Sequence, residues 1–247
     1  LLTRNVTKAL AVLMVDFSCA LKLAVPIAVL SAIREAGQHH MTVKGGKDQE
    51  ITIGSAIYYN NLTYDAKKTG VTLGGAFSGT LKAADYATTV KTIDASVLTK
   101  GVALVGNKQA NTITGGAGND TILSSSQAST VWIDGGTDDD YIENYTSNAT
   151  LNGGDGNDTI KPYGSNQTIT YYKNQGQDII SYYPAIYFPN ATISDIQSTA
   201  NYSITFNDSS SIQFYNYGHT PQLSNVATFK FSNNKEYIYS NGSFVEK

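Results

Sequence analysis

The sequence predicts a mainly β fold: a parallel β-solenoid, or β-roll, with an N-terminal apolar helix and a C-terminal antiparallel β cap. Three observations predict it. A nine-residue pattern recurs at residues 115–123, 135–143 and 153–161. Large aliphatic residues keep step with it: Leu104, Ile113, Ile122, Val131 or Ile133, Ile142, Leu151, Ile160 and Ile169. With 22 glycines, 17 tyrosines and only 15 % charged residues, the composition suits short strands and many turns.

Each nonapeptide divides into a turn and a strand. The turn opens with a glycine pair (Gly115-Gly116, Gly135-Gly136, Gly153-Gly154) and ends on an aspartate in the sixth place (Asp120, Asp140, Asp158). Glycine reaches positive φ without a Cβ clash, so such a turn can curl and aim carbonyls inward. The three following residues form a short strand whose middle residue (Ile122, Ile142 or Ile160) faces in while its neighbours face out. The first and third copies also carry glycine in the fourth place, at Gly118 and Gly156; the second carries Asp138 there. Aspartate tolerates a left-handed backbone better than most residues, so that turn can survive, with Asp138 either serving as a ligand or only distorting it.

Two nonapeptides make one coil, so successive turns alternate between two edges. The three aspartate turns are every second unit and should stack on one edge. The intervening turns begin at Gly106, Ser124, Asn144 and Pro162, lack the aspartate, and should line the opposite edge without metal. In the degenerate copy 106–114, Asn111 takes the aspartate place. Two extra residues lie between Leu123 and Gly135.

The Gly-Gly-x-Gly-x-Asp-x-U-x pattern, with U a large aliphatic residue, resembles the RTX (hemolysin-type) calcium-binding repeats of secreted bacterial proteins. The resemblance implies calcium, held between stacked turns. It covers residues 92–180 with specificity and the C-terminal part weakly. Calcium takes about six to eight oxygen ligands, more than one turn supplies, whereas two stacked turns can sandwich an ion. Three turns leave two gaps, so about two calcium ions are expected, with Asp120 and Asp140 sharing one and Asp140 and Asp158 the other. The candidate metal-ligating residues are Gly115, Ala117 and Asp120 in the first turn, Gly135, Thr137, Asp138 and Asp140 in the second, and Gly153, Asp155 and Asp158 in the third.

A metal-free solenoid is the competing reading, because Asp-Gly and Asn-Gly turns are common in any fold. Two features oppose it. The aspartates keep phase with the glycines three times. Residues 101–160 also hold seven aspartates and one glutamate against a single lysine, Lys108, and stacked carboxylates repel unless a cation lies between them.

The formal net charge of −3 and the lack of a basic stripe exclude nucleic acid as an expected partner. Cys19 stands alone, so no intrachain disulfide can form. There is no His-Glu-x-x-His, Gly-x-Ser-x-Gly, P-loop or dinucleotide fingerprint, and Gly75-Ala76-Phe77-Ser78-Gly79 does not fit a lipase elbow. His39-His40 and His219 read as solvated loop residues. The chain therefore reads as a non-enzymatic, calcium-folded, secreted bacterial module, one part of an adhesin- or toxin-like exported protein. Its expected partners are calcium and a cell surface, membrane or polysaccharide. The alternatives are a membrane-damaging RTX toxin fragment and a calcium-dependent polysaccharide-active enzyme.

Four segments are expected. Residues 1–45 form an apolar helical segment that caps the solenoid, acts on membranes or targets the chain. Asp16, Lys22 and Pro26 interrupt its apolar run, and each central charge costs about 2.5–3.5 kcal/mol on insertion scales, which argues against a simple transmembrane helix. Residues 46–100 read as an irregular β-solenoid lead-in, 101–180 as the repeat β-roll, and 181–247 as a cap of β-hairpins, with turns at Asn207-Asp208 and at Ser232-Asn233-Asn234.

Overall fold

The computed structural model describes residues 42–44, 50–53, 56–59, 62–64, 69–75, 77–83, 89–200, 202–216 and 222–247. The helix expected within residues 1–41, together with His39, His40 and His219, lies outside the described residues. Among the described residues no helix is long and apolar enough to cross a membrane.

The chain divides into two compact units, 1–55 and 56–247. In the first, the strands Thr42–Lys44 and Glu50–Ile53 pair antiparallel. The second is the solenoid, a mainly β structure wound as two parallel sheets. One sheet runs Gly70–Leu73, Thr92–Asp94, Asn111–Thr114, Val131–Thr137, Thr150–Asp155, Thr168–Thr170, Ala185–Tyr187 and Phe229–Lys230. The other runs Thr80–Lys82, Ala103–Val105, Thr121–Leu123, Tyr141–Asn144, Thr159–Pro162, Gln177–Ser181 and Ser211–Tyr215.

The period of two along each strand explains the core. Residues that alternate inward stack on their equivalents one coil away. One ladder is Ile93–Ile113–Ile133–Leu151–Ile169–Ile186; the facing ladder is Leu81–Leu104–Ile122–Ile142–Ile160–Ile180. Every one of these side chains is buried, and burying an aliphatic side chain of this size contributes about 1.5–3 kcal/mol. Ile133, rather than Val131, occupies the ladder place; Val131 pairs with Asn111 at the end of the same strand and is also buried.

Beyond residue 187 the core turns aromatic. Phe188, Phe206, Phe214, Phe229 and Phe231 are all buried. Phe188 meets Phe206 edge-on at 5.3 Å and Phe231 at 5.1 Å with the planes tilted by 33°. Two antiparallel series join the sheets here: Ile196–Ser198, Ser203–Phe206 and Ser211–Tyr215, then Phe229–Lys230, Glu236–Ser240 and Ser243–Glu246. In each series one strand also belongs to a parallel sheet, so the hairpins continue the solenoid's ladders without a break in hydrogen bonding.

The aspartate edge

The turns 115–120, 135–140 and 153–158 all lead from the first sheet to the second, which places them on one edge. Their backbones stack closely. Gly136 N–H and Gly154 N–H belong to strands already in register, and Thr137 N–H donates to Gly116 O at 3.0 Å. A Cβ on Gly136 would lie 2.1 Å from Gly116 O, and one on Gly154 would lie 2.0 Å from Gly136 O. Both residues have positive φ, 119° and 112°. Close approach and left-handed backbone therefore each demand glycine in the second place.

The sixth-place aspartates form a vertical chain. Asp120 N–H donates to Asp140 Oδ1 at 2.8 Å, Asp140 N–H to Asp158 Oδ1 at 2.8 Å, and Asp158 N–H to Asp178 Oδ1 at 3.0 Å. At the lower end Asp120 Oδ1 accepts from Val102 N–H and its Oδ2 from Gly116 N–H, both at 2.8 Å. All four carboxylates are buried, with exposures of 3 % or less. Asp140 Oδ2 and Asp158 Oδ2 are buried with no hydrogen-bond partner. An unsatisfied buried carboxylate oxygen is costly unless something positive meets it.

The electrostatics follow from that geometry. Burial, together with the carboxylates of Asp158, Asp120 and Asp138, pushes the Asp140 carboxyl up to about 8. Burial raises Asp158 to about 6, against the lowering effect of the Asp140 N–H, and burial with Asp158 alongside raises Asp178 to about 8. Asp120 is raised by burial, offset in part by its two backbone N–H donors.

The site residues expected from the pattern come together as follows. Gly115, Gly135 and Gly153 stack: a Cβ on Gly135 would lie 2.2 Å from Gly153 O and 2.3 Å from Asp140 Oδ2, and one on Gly115 would lie 1.9 Å from Gly135 O and 2.4 Å from Asp120 Oδ2. A carbonyl and a carboxylate oxygen thus converge on a space that only glycine leaves open. Ala117, Thr137 and Asp155 stand in register one above another. Asp138 is exposed, adopts φ 75°, and its Oδ2 accepts from Gly118 N–H at 2.9 Å. Among the described residues no three His, Cys, Asp or Glu side chains converge as a metal group, so a cation here would need carbonyl oxygens as well as carboxylates. That donor mixture is the one calcium accepts.

Asp178, in the stretch Gln177-Asp178-Ile179-Ile180 that reads as a final, decayed repeat, joins the aspartate chain although it is not among the expected ligands. Its turn carries Lys173-Asn174 where the others carry Gly-Gly, although Asn174 still takes φ 76° and Gly176 keeps the fourth place with φ 124°. The signal was present as the surviving half-pattern Gly176-x-Asp178-x-Ile180.

The opposite edge does the same structural work with neutral groups. Asn111 Nδ2 donates to Val90 O at 3.1 Å and to Asn107 Oδ1 at 3.1 Å, while its Oδ1 accepts from Asn107 N–H at 2.9 Å. Two coils further, Asn144 Nδ2 donates to Thr146 O and Gln167 Oε1, and Gln167 Nε2 donates to Gly164 O. An amide brings its own donors and so satisfies the turn that a carboxylate would leave short.

Residues 103–131 and 145–161 match the RTX calcium-binding nonapeptide repeat family, with four copies. The interval between the two matched segments contains the turn in which Asp138 replaces the third glycine. No curated protein and no solved structure gives a match. With the stacked glycine turns and the buried aspartate chain, the match marks residues 103–131 and 145–161 as RTX-type calcium-binding repeats within a parallel β-solenoid.

Proposed function

We propose that this chain is a calcium-folded, secreted β-roll module of an adhesin- or toxin-like exported protein. The observation that carries the reading is the pair of buried, partnerless oxygens, Asp140 Oδ2 and Asp158 Oδ2, inside a chain of stacked carboxylates. Asp120, Asp140 and Asp158 supply the carboxylates. Backbone carbonyls of Gly115, Ala117, Gly135, Thr137, Gly153 and Asp155 supply the remaining oxygens. Calcium neutralises charge that the fold otherwise has to keep protonated. The two gaps between three glycine turns hold about two ions. Lys173-Asn174 interrupts the glycine pair at the fourth rung, so Asp178 closes the ladder. Asp138, committed to Gly118 N–H, supports the neighbouring turn.

Binding free energy becomes folding free energy when a site does not exist in the unfolded chain. Extracellular modules bind calcium at about 10⁻⁴ to 10⁻³ M, so such a chain stays loose where calcium is scarce and winds up outside the cell. The aromatic hairpins beyond 187 cover the C-terminal end of the solenoid, which otherwise exposes core and strand edges. Far-UV circular dichroism of the full chain tests the coupling: the β signal should appear on adding millimolar calcium and vanish with chelator. Equal β content in both conditions would refute it.

A further inference from the structure

The edge opposite the aspartates carries a second patterned feature. The turns that follow Tyr141–Asn144, Thr159–Pro162 and Gln177–Ser181 each begin with a tyrosine: Tyr145, Tyr163 and Tyr182. The rings of Tyr145 and Tyr163 stack with centroids 4.9 Å apart and planes 9° apart, which is the spacing of hydrogen-bonded strands. Tyr145 is fixed further by its hydroxyl, which donates to Glu143 Oε2 at 2.8 Å. Tyr182 breaks the column. Its backbone takes φ 64°, and its ring lies 5.3 Å from Tyr163 at 59°.

A groove of about 550 Å³ opens where the rings splay, lined by Tyr163, Tyr182, Tyr183, Ser165, Asn166 and Pro184 among others. Among the described residues, no charged side chain lines it. Ser165 and Asn166 are exposed at its rim. Asn166 takes φ 52° and its amide reaches Asn148 Oδ1 at 3.3 Å, one coil below. Tyr183 is anchored by Asn216 Nδ2, which donates to its hydroxyl at 3.2 Å.

We propose that this groove binds a neutral carbohydrate chain. A sugar ring offers apolar C–H faces and a rim of hydroxyls. Tyrosine rings meet the first, and amides and hydroxyls that both donate and accept meet the second. Tyrosines held by backbone stacking give a large contact area at low entropic cost. The volume falls within the range of small-ligand sites, about 300–1,000 Å³. The uncharged lining gives a phosphate, a uronate or an acidic peptide nothing to pair with, although this chain has charged groups elsewhere on its surface. Because the coils repeat along the edge, Tyr145 continues the platform beyond the groove, which suits a polymer better than a free monosaccharide. The site shares no residue with the aspartate edge.

The test uses the full chain in calcium buffer. Cellohexaose, maltohexaose, laminarihexaose, xylohexaose, mannohexaose and N-acetylchitohexaose are titrated calorimetrically beside polygalacturonate. At least one neutral oligosaccharide should bind, and Tyr163→Ala and Asn166→Gly should each weaken it by about tenfold or more with calcium uptake unchanged. Asn166→Gly keeps the left-handed backbone accessible and removes only the amide, so it decides the matter if Tyr163→Ala folds poorly. Binding to none of the neutral chains, preference for polygalacturonate, or a neutral chain bound equally well by Asn166→Gly would overturn the proposal.

Discussion

Asp140 N–H donates to Asp158 Oδ1 at 2.8 Å, while the other oxygen of each of these two carboxylates is buried without a partner. One contact thus fixes the rung spacing and leaves two acceptors facing no donor. The consequences of that arrangement are measurable.

Proton linkage sets how the calcium-free form responds to pH. An aspartate in the unfolded chain titrates near about 3.9, whereas Asp158 and Asp140 in the fold titrate at about 6 and about 8. Between these limits the native state binds more protons than the unfolded state, so stability falls as pH rises. The calcium-free chain should therefore have a higher denaturation midpoint at pH 5 than at pH 8.5, measured by urea melts in metal-stripped buffer. Saturating calcium should flatten or reverse that trend, because the ion competes with the protons.

The stacked glycines cannot take a side chain. Gly154→Ala places a Cβ 2.0 Å from Gly136 O at φ 112° and should lower stability by more than about 1 kcal/mol. Gly75→Ala, with nothing within 4 Å, should change the melting midpoint by no more than a surface substitution does, within about 0.5 kcal/mol. Thermal melts of the two variants side by side separate local crowding from general glycine loss.

Asp138 departs from the glycine pattern at a φ of 75° and raises the Asp140 carboxyl through its charge. Asp138→Gly relaxes the backbone and removes one carboxylate, at the expense of an exposed hydrogen bond to Gly118 N–H. The calcium-free variant should be more stable by about 1 kcal/mol, the low end of the cost of holding a non-glycine residue in the left-handed region, and its calcium stoichiometry should match the wild type. Loss of a bound ion in this variant would instead make Asp138 a ligand.

The ladder of aliphatic residues predicts a graded response across one strand. Ile142→Ala removes a fully buried rung and should cost about 2–5 kcal/mol. Thr121 and Tyr141 point outward in the same sheet, and changes there should cost far less. Urea midpoints at fixed calcium give the comparison.

Much of the fold is legible in the sequence because solenoid coils repeat the same local decision. Ile122, Ile142 and Ile160 sit eight places into units that differ little, so one reading serves all three. The alternating edges follow from the same count, and the described turns obey it. Ile133 could not be told from Val131 by periodicity, since both are β-branched, both are buried and they lie two residues apart on one face; the choice was made by pairing with Ile113. Asp178 is legible as part of a decayed repeat but not as a member of the aspartate chain, because the glycine pair that marks its neighbours is absent and a left-handed Asn174 stands in the second place. The tyrosine column escaped because a ring every 18 or 19 residues means nothing until the coil length is known. In the C-terminal part both hairpins are written in the local pattern. Their parallel pairing with Gln177–Ser181 and Ala185–Tyr187 depends on partners 34 and 43 residues away and leaves no local trace.

Calcium titration by isothermal calorimetry on the wild type and on Asp140→Asn tests the central claim most directly. Asparagine keeps the side-chain shape and the oxygen that Asp120 N–H uses, and it removes the charge shared by both gaps. The account predicts about two ions bound by the wild type and neither bound tightly by the variant. Absence of binding to the wild type, or an undiminished stoichiometry in Asp140→Asn, would contradict it.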